Sequence, residues 1–236
     1  MNPLRYLPEA WKERLRRRAG AVTPSARLEN LRRAGFDPRR IIDAGAHEGR
    51  WTRMIASIFP AAELLLIEPQ PALAAGLESL CRSLPAARLR SVLLGRSSGS
   101  GLLLLEETNS RIVAPDQARG RKAVTVPMET LEGIMKETGF APCGLLKLDL
   151  QGYELEALAG AGGMLDQVEV IMTEVSLIPI GGVPLALELS QFLAQRGFRL
   201  YDIFGHNYRP RDSALWQADF VYAREGSPLV ASADWA

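Results

Sequence analysis

An α/β domain with a largely parallel sheet is what this sequence predicts, on three observations. Its 236 residues suit one ordinary domain. From Arg40 onward, short apolar runs alternate with helix-like stretches, as strands and their covering helices do. A glycine-containing turn, Asp43-Ala44-Gly45-Ala46-His47-Glu48-Gly49, follows the first run and opens a helix. Doubly wound folds bind nucleotides at that place.

In chain order, Ile41-Ile42 ends a first strand, and a helix follows the turn from about Arg50 to Phe59. Leu64 to Ile67 reads as a buried strand, and Pro71 opens a helix toward Cys81, proline being at home in a first helical turn. Leu89 to Leu94 and Leu102 to Leu105 read as strands flanking Gly95-Arg96-Ser97-Ser98-Gly99. The stretch Glu106 to Lys122 carries few apolar groups and reads as a long loop. Strands are expected at Val124 to Met128, Leu145 to Asp149 and Val168 to Glu174. Helices are expected after Glu129, near Gly152 and after Pro184, the last one closed by Gly197. Arg199 to Phe204 and Leu215 to Ala223 form a final strand pair. The divisions are a basic N-terminal helical segment over 1–39, the main domain over 40–225 and a C-terminal tail over 226–236.

Composition narrows the function classes. Lys plus Arg total 28 against 27 Asp plus Glu, so there is no electrostatic pull toward nucleic acid. The two cysteines, Cys81 and Cys143, exclude a disulfide scaffold and a cysteine-rich metal site, and suit a reducing, cytoplasmic setting. No run approaches the roughly 18 apolar residues of a membrane span, so no stable membrane insertion is expected. Glu9, Lys12 and Arg14 interrupt any signal-peptide core. Between Arg5 and Arg40, basic residues outnumber acids eleven to four. Leu4, Leu7, Trp11 and Leu15 recur at helical steps there, which reads as a cap packed on the body, with a membrane-surface helix as the alternative. The oligomeric state is not legible.

Two constellations carry chemistry. In the glycine turn, Gly45 lets the backbone approach a ligand, and Glu68 follows 23 residues later at the end of the next strand. From there a carboxylate can accept both hydrogen bonds of a ribose diol. The dinucleotide fingerprint Gly-x-Gly-x-x-Gly is broken, with His47 and Arg50 at its second and third glycines. Asp43 and Glu48 would also repel a pyrophosphate. A sulfonium ligand gains instead: one carboxylate about 4 Å from a unit cation is worth roughly 4 kcal/mol at an effective dielectric of about 20, before desolvation. The second constellation is Leu145-Leu146-Lys147-Leu148-Asp149-Leu150-Gln151-Gly152-Tyr153-Glu154. Alternation puts Lys147 and Asp149 on one side of a strand that ends at the same crevice, and Glu154 falls in the first turn of the next helix, where the macrodipole favours an anion. Glu174 ends the following strand at the equivalent level, within reach of Asp149.

Together these segments resemble the FkbM-type methyltransferases, which depend on S-adenosylmethionine. The resemblance rests on Ile42 to Gly49, Leu66-Ile67-Glu68-Pro69 and, above all, Leu146 to Glu154 with Leu158-Ala159-Gly160-Ala161 behind it. Glu174-Val175-Ser176, Gly197-Phe198 and Asp219-Phe220-Val221 continue it, so that it covers about Arg40 to Arg224. It implies a Rossmann-like class I methyltransferase fold: a seven-stranded, mostly parallel sheet with an antiparallel last strand and helices on both faces. It also implies methyl transfer, usually to a hydroxyl oxygen. Asp43, Gly45 and Gly49 would line the donor's methionine and ribose, Glu68 would hold the diol, and Asp149 and Glu154 would border the transfer site. Ala46, His47, Pro69 and Asp149, the last also able to meet the methionine ammonium, complete the expected donor-binding set. The turn carries His47 where the family commonly has Asn, Glu132 replaces a usual Asp, and Gly95 to Gly99 offers no acid for the adenine amino group.

An alcohol is a poor nucleophile until its proton leaves, so a general base or a metal is expected. Asp149, Glu174 and His206 are the candidates, His206 being read as a residue of a loop over the cleft. Asp149 and Glu174 could instead bind Mg2+ with water and substrate oxygens. Gln151, Tyr153, Glu154, Asn109 and Arg111 are the expected acceptor contacts. The expected partner is a small hydroxylated molecule, a sugar or a secondary metabolite. A nicotinamide oxidoreductase and a non-catalytic cofactor-binding protein are the competing readings.

Overall fold

The computed structural model describes residues 23–106, 110–179 and 185–231. The Leu4, Leu7, Trp11 and Leu15 face and Asn109 lie outside the described residues. A first helix, α1 (Pro24–Arg33), is capped by Thr23, whose hydroxyl accepts from Ala26 N at 3.3 Å. The expected alternation follows: β1 (Arg40–Ala44), α2 (Arg50–Ile58), β2 (Glu63–Ile67), α3 (Pro71–Ser83) and β3 (Ala87–Arg90). The chain then runs through β4 (Leu93–Leu94), β5 (Gly99–Leu104), β6 (Arg111–Ile112) and β7 (Ala123–Glu129). It continues as α4 (Leu131–Thr138), β8 (Cys143–Leu148), α5 (Glu154–Ala159), β9 (Val168–Ser176) and α6 (Ala186–Ala194), and ends in β10 (Phe198–Tyr208) and β11 (Leu215–Arg224).

Seven strands form the main sheet in the order β3-β2-β1-β8-β9-β11-β10. The last strand, β11, is antiparallel to both of its neighbours, and the other pairings are parallel, as expected. Two expectations need correction. The apolar run Leu89 to Leu94 is not one strand: it breaks at Ser91-Val92, and β4 joins β7, β5 and β6 in a separate four-stranded sheet. That sheet has its own small core of Leu93, Leu103 and Val126. The stretch Glu106 to Lys122 is not wholly a loop either, because Arg111-Ile112 pairs with Leu103-Leu104.

Side chains alternate across the main sheet and build two cores. One face carries Ile42, Leu146, Ile171 and Phe220 beneath α4, α5 and α6. The other carries Ile41, Leu145, Val170 and Val221 beneath α1, α2 and α3. Leu28 and Leu31 of α1 are buried in this second core, and Leu229 and Val230 pack against it. The same alternation places Asp43, Lys147, Glu174 and Asp219 on the second face, at the carboxyl ends of their strands.

Candidate active site

A cavity of about 250 Å³ lies between those carboxyl ends and the small sheet. Gly45, His47, Glu68, Pro69, Asp149, Gln151, Tyr153 and Arg111 line it, which brings together eight of the residues singled out from sequence. The small sheet adds an apolar wall of Val92, Leu93, Leu94, Leu103 and Ile112, together with Ser110 from the segment before β6. This wall could not be read from sequence, because it depends on β4 leaving the main sheet.

The glycine turn is held by its own donors. Gly45 sits at φ +79°, and a Cβ there would come within 1.9 Å of the Asp149 carbonyl oxygen, so only glycine fits. Gly45 N and Ala46 N both donate to the Ile67 carbonyl, Gly49 N donates to Ala46, and His47 N donates to Glu68 Oε2 at 2.8 Å. Glu68 is only 4% exposed, and its Oε1 accepts from Gln70 N at 3.0 Å. Each oxygen of this carboxylate keeps lone-pair capacity for a ligand.

Asp43 is not at the cavity wall. It is 2% exposed, its Oδ1 lies 3.0 Å from Lys147 Nζ, and its Oδ2 accepts from Thr52 Oγ1 at 2.6 Å. Lys147 Nζ also donates to the Gly45 carbonyl at 2.9 Å and stands 3.7 Å from Asp149 Oδ2. Burial opposes the lysine's charge, but Asp43, Asp149 and Asp219 outweigh it and hold its pKa above the ordinary value. Asp43 and Lys147 therefore fasten the turn to β8. Glu48, counted above as a repulsive charge, pairs with Arg50 at 2.8 Å. Ala46 is buried in the core, and Gly49 caps α2 at φ +71°, so both serve the turn from behind the wall.

Glu154 likewise organises a turn and is outside the cavity lining. At 1% exposure, its carboxylate accepts from Leu150 N at 2.8 Å and from Gly152 N at 3.1 Å. Burial raises its pKa, against the pull of those amides. It fixes the turn in which Gln151 takes φ +51° and donates from Nε2 to Asp149 Oδ1 at 2.7 Å.

Beyond Asp149, and like His206 outside the cavity lining itself, stands a pair of acids. Glu174 on β9 and Asp219 on β11 are direct partners across the antiparallel ladder. Their Cβ atoms are therefore about 4.5–5.5 Å apart. Burial first, then Asp149 and Asp219, push Glu174 up to about 7. Burial, then Asp149, push Asp219 up to about 7, against Lys147. Gln217 Nε2 donates to Glu174 Oε2 at 3.1 Å. Gly205, at φ +64°, leaves the room that Asp219 occupies, since a Cβ there would come within 2.1 Å of its Oδ2. Asp219 was quoted above only as part of a motif. Its meeting with Glu174 depends on β11 inserting beside β9, which local sequence does not reveal.

The remaining candidates are placed differently. His206 is exposed and lies within β10, not in a loop, and it is outside the cavity lining. Arg111 reaches the cavity but is paired with Glu106 at 2.7 Å; Arg121 pairs with the same carboxylate, so neither is a free cation. No three His, Cys, Asp or Glu side chains among the described residues gather as a metal-binding group, so Mg2+ gains no support from the geometry. Burial pushes the Cys143 thiol up to about 12, which removes it as a nucleophile. No helix among the described residues is long and apolar enough to cross a membrane.

Comparison with known proteins agrees with this architecture. No curated protein matches the sequence. The chain is similar to a crystal structure of a methyltransferase FkbM from Methylobacillus flagellatus KT, at 14% identity and a TM-score of 0.52. That likeness covers 78% of this chain but only 43% of the other, so the chain spans less than half of that protein's length. The O-methyltransferase TomG from Streptomyces achromogenes, solved with S-adenosylmethionine, is similar at 14% identity and a TM-score of 0.53, over 87% of this chain and 82% of that one. An rRNA methylase from Streptococcus thermophilus shares the fold at 13% identity and a TM-score of 0.50, over 86% and 97% of the two chains. The sequence profile of the methyltransferase FkbM domain matches residues 43–200. The chain belongs to the FkbM family of S-adenosylmethionine-dependent methyltransferases.

Proposed function

We propose that the protein is an O-methyltransferase that uses S-adenosylmethionine to methylate a hydroxyl of a small acceptor, a sugar or a secondary metabolite. The observation that carries the choice of donor is the fate of the turn's amides. Gly45, Ala46, His47 and Gly49 all spend their N–H groups inside the protein. A pyrophosphate would need such donors, as it does at other helix-opening turns. Beside the turn, the cavity is lined by the Glu68 and Asp149 carboxylates, which suit a ribose diol and a cationic sulfur donor. This disfavours the nicotinamide reading.

In this reading Glu68 holds the diol, the apolar wall of Val92, Leu94, Leu103 and Ile112 receives the base, and Gly45 and Asp149 lie beside the methionine part. S-adenosylmethionine supplies an electrophilic methyl group on a positively charged sulfur. The chain's part is to position the acceptor and take its proton, each worth orders of magnitude in rate. Glu174 and Asp219 suit the second task. Two carboxyls with pKa values near 7 share roughly one proton at neutral pH, so one is free to accept the hydroxyl proton. Asp149 stands between the pair and the cavity and orients the acceptor, with Gln151 and Tyr153 at the rim. Exposed His206 has no part in the step. The near-neutral net charge of +1 favours a small acceptor over a nucleic acid, and the free thiols of Cys81 and Cys143 suit the cytoplasm.

The test is transfer of isotope-labelled methyl from S-adenosylmethionine to a panel of hydroxylated sugars and phenols. Product from wild-type protein, lost in Glu174→Gln while S-adenosylhomocysteine still binds, supports the reading. Transfer to nitrogen or carbon acceptors alone would overturn the assignment to oxygen.

A further inference from the structure

The apolar end of the cavity contains a polar pair, Gln70 and Ser110. Around them stand Pro69, Val92, Leu94, Leu103 and Ile112. The turn Gly95 to Gly99, which carries no acid, does not reach this wall. An amino group on a base bound here therefore has to find its acceptor elsewhere.

Ser110 Oγ has three neighbours. It accepts from Glu106 N at 3.0 Å, lies 2.6 Å from the Glu106 carbonyl oxygen, and lies 3.1 Å from the Gln70 side-chain oxygen as placed. A hydroxyl carries one proton. The shortest of the two remaining contacts takes it, so the Ser110 hydroxyl donates to the Glu106 carbonyl. The Gln70 contact is then satisfied only if the amide is turned over, so that its nitrogen donates to Ser110 Oγ. The oxygen and nitrogen of an amide are told apart by this kind of bookkeeping and not by shape. With its nitrogen turned to Ser110, Gln70 presents Oε1, an acceptor without a proton, to the apolar slot.

We propose that Gln70 determines which base the cavity accepts: its Oε1 takes a hydrogen bond from the adenine 6-amino group of the methyl donor. Ser110 is a positioning residue that keeps the amide from turning over. This rests on the S-adenosylmethionine reading above. A 6-oxo base would set oxygen against oxygen beside the apolar wall, and such a mismatch discriminates because a half-buried acceptor is left unpaired.

Calorimetric titration with S-adenosylhomocysteine and with its 6-oxo analogue, S-inosylhomocysteine, tests the assignment. Wild-type protein is expected to prefer the adenine ligand by at least about tenfold. Gln70→Leu should weaken S-adenosylhomocysteine about tenfold while leaving the inosine ligand within about threefold, so that the preference collapses. Gln70→Glu, which offers only acceptors, should keep it. Ser110→Ala should narrow the preference, with S-adenosylhomocysteine still bound. A Gln70→Leu protein that keeps the wild-type preference, or that loses both ligands by the same factor, overturns the role of Gln70. An unchanged preference in Ser110→Ala overturns the positioning role. Wild-type protein that binds neither ligand overturns the donor reading itself, a separate and distinguishable failure.

Discussion

Carboxylates stand at both ends of the cleft, buried at one and half-buried at the other, and their surroundings differ. At the β1–β2 end, Asp43 has a lysine and a threonine hydroxyl, and Glu68 has two backbone amides. Glu154, across the β8 turn, has two amides of its own. At the β9–β11 end, Glu174 and Asp219 face each other, and Gln217 Nε2 donates to Glu174. The contrast teaches that burial alone does not mark a working acid. A carboxylate whose oxygens are met by fixed donors holds the backbone in place, and in the case of Glu68 has lone pairs left for a ligand, whereas one opposed by another carboxylate is poised to exchange a proton near neutral pH.

The largest effect that separates the two groups is on rate. Glu174→Gln or Asp219→Asn should lower kcat on the order of a hundred- to ten-thousandfold, the usual worth of a general base. Affinity for S-adenosylhomocysteine should stay within about threefold of wild type. In the wild type, kcat should rise with pH to a plateau above about 7, as the pair gives up its shared proton. An equal loss of binding in these variants would move the pair into the structural group.

Lys147→Ala tests the other group. It leaves Asp43 buried beside Thr52 without its counter-charge, and removing one partner of a buried pair costs about 3–5 kcal/mol. Urea unfolding of Lys147→Ala, and of the double variant Lys147→Met with Asp43→Asn, should show the double variant recovering much of the loss. Equal destabilisation of the two would contradict the pairing.

Much of this was legible in the sequence, and what was not follows a pattern. The alternation of strands and helices, the Gly45 turn, Glu68 and the Leu146 to Glu154 segment depend on local spacing, and they lie where their spacing puts them. The small sheet was missed because Leu89 to Leu94 reads as one apolar run, while the chain changes sheets at Ser91-Val92. Asp219 and Gln70 were missed because their partners, Glu174 and Ser110, are distant in the chain and meet only through tertiary register. Asp43 and Glu154 have the right residue type in the right place but face inward, since alternation gives a face without saying which donors wait there.

A smaller signal comes from stability against pH. The folded pKa values of Glu174 and Asp219 lie above those of free carboxyls, so the folded state binds more protons between about pH 4 and 7. Stability should therefore fall as pH rises through that window and level off above about 7, and the Glu174→Gln, Asp219→Asn double variant should flatten the slope. Thermal unfolding across that range decides it, and a rise in the wild type would contradict it. The smallest effect is at His206: His206→Ala should change kcat by less than about twofold, because the ring stands exposed on β10.

The most direct test of the account is calorimetry of the wild-type protein with S-adenosylhomocysteine and, separately, with NADH. A turn whose Gly45, Ala46, His47 and Gly49 amides are already bonded, beside the Glu68 and Asp149 carboxylates, should bind the first and give no heat with the second. Glu68→Ala should weaken S-adenosylhomocysteine by at least about tenfold, or about 1.4 kcal/mol. Saturable NADH binding, or a Glu68→Ala protein with wild-type affinity, would contradict it.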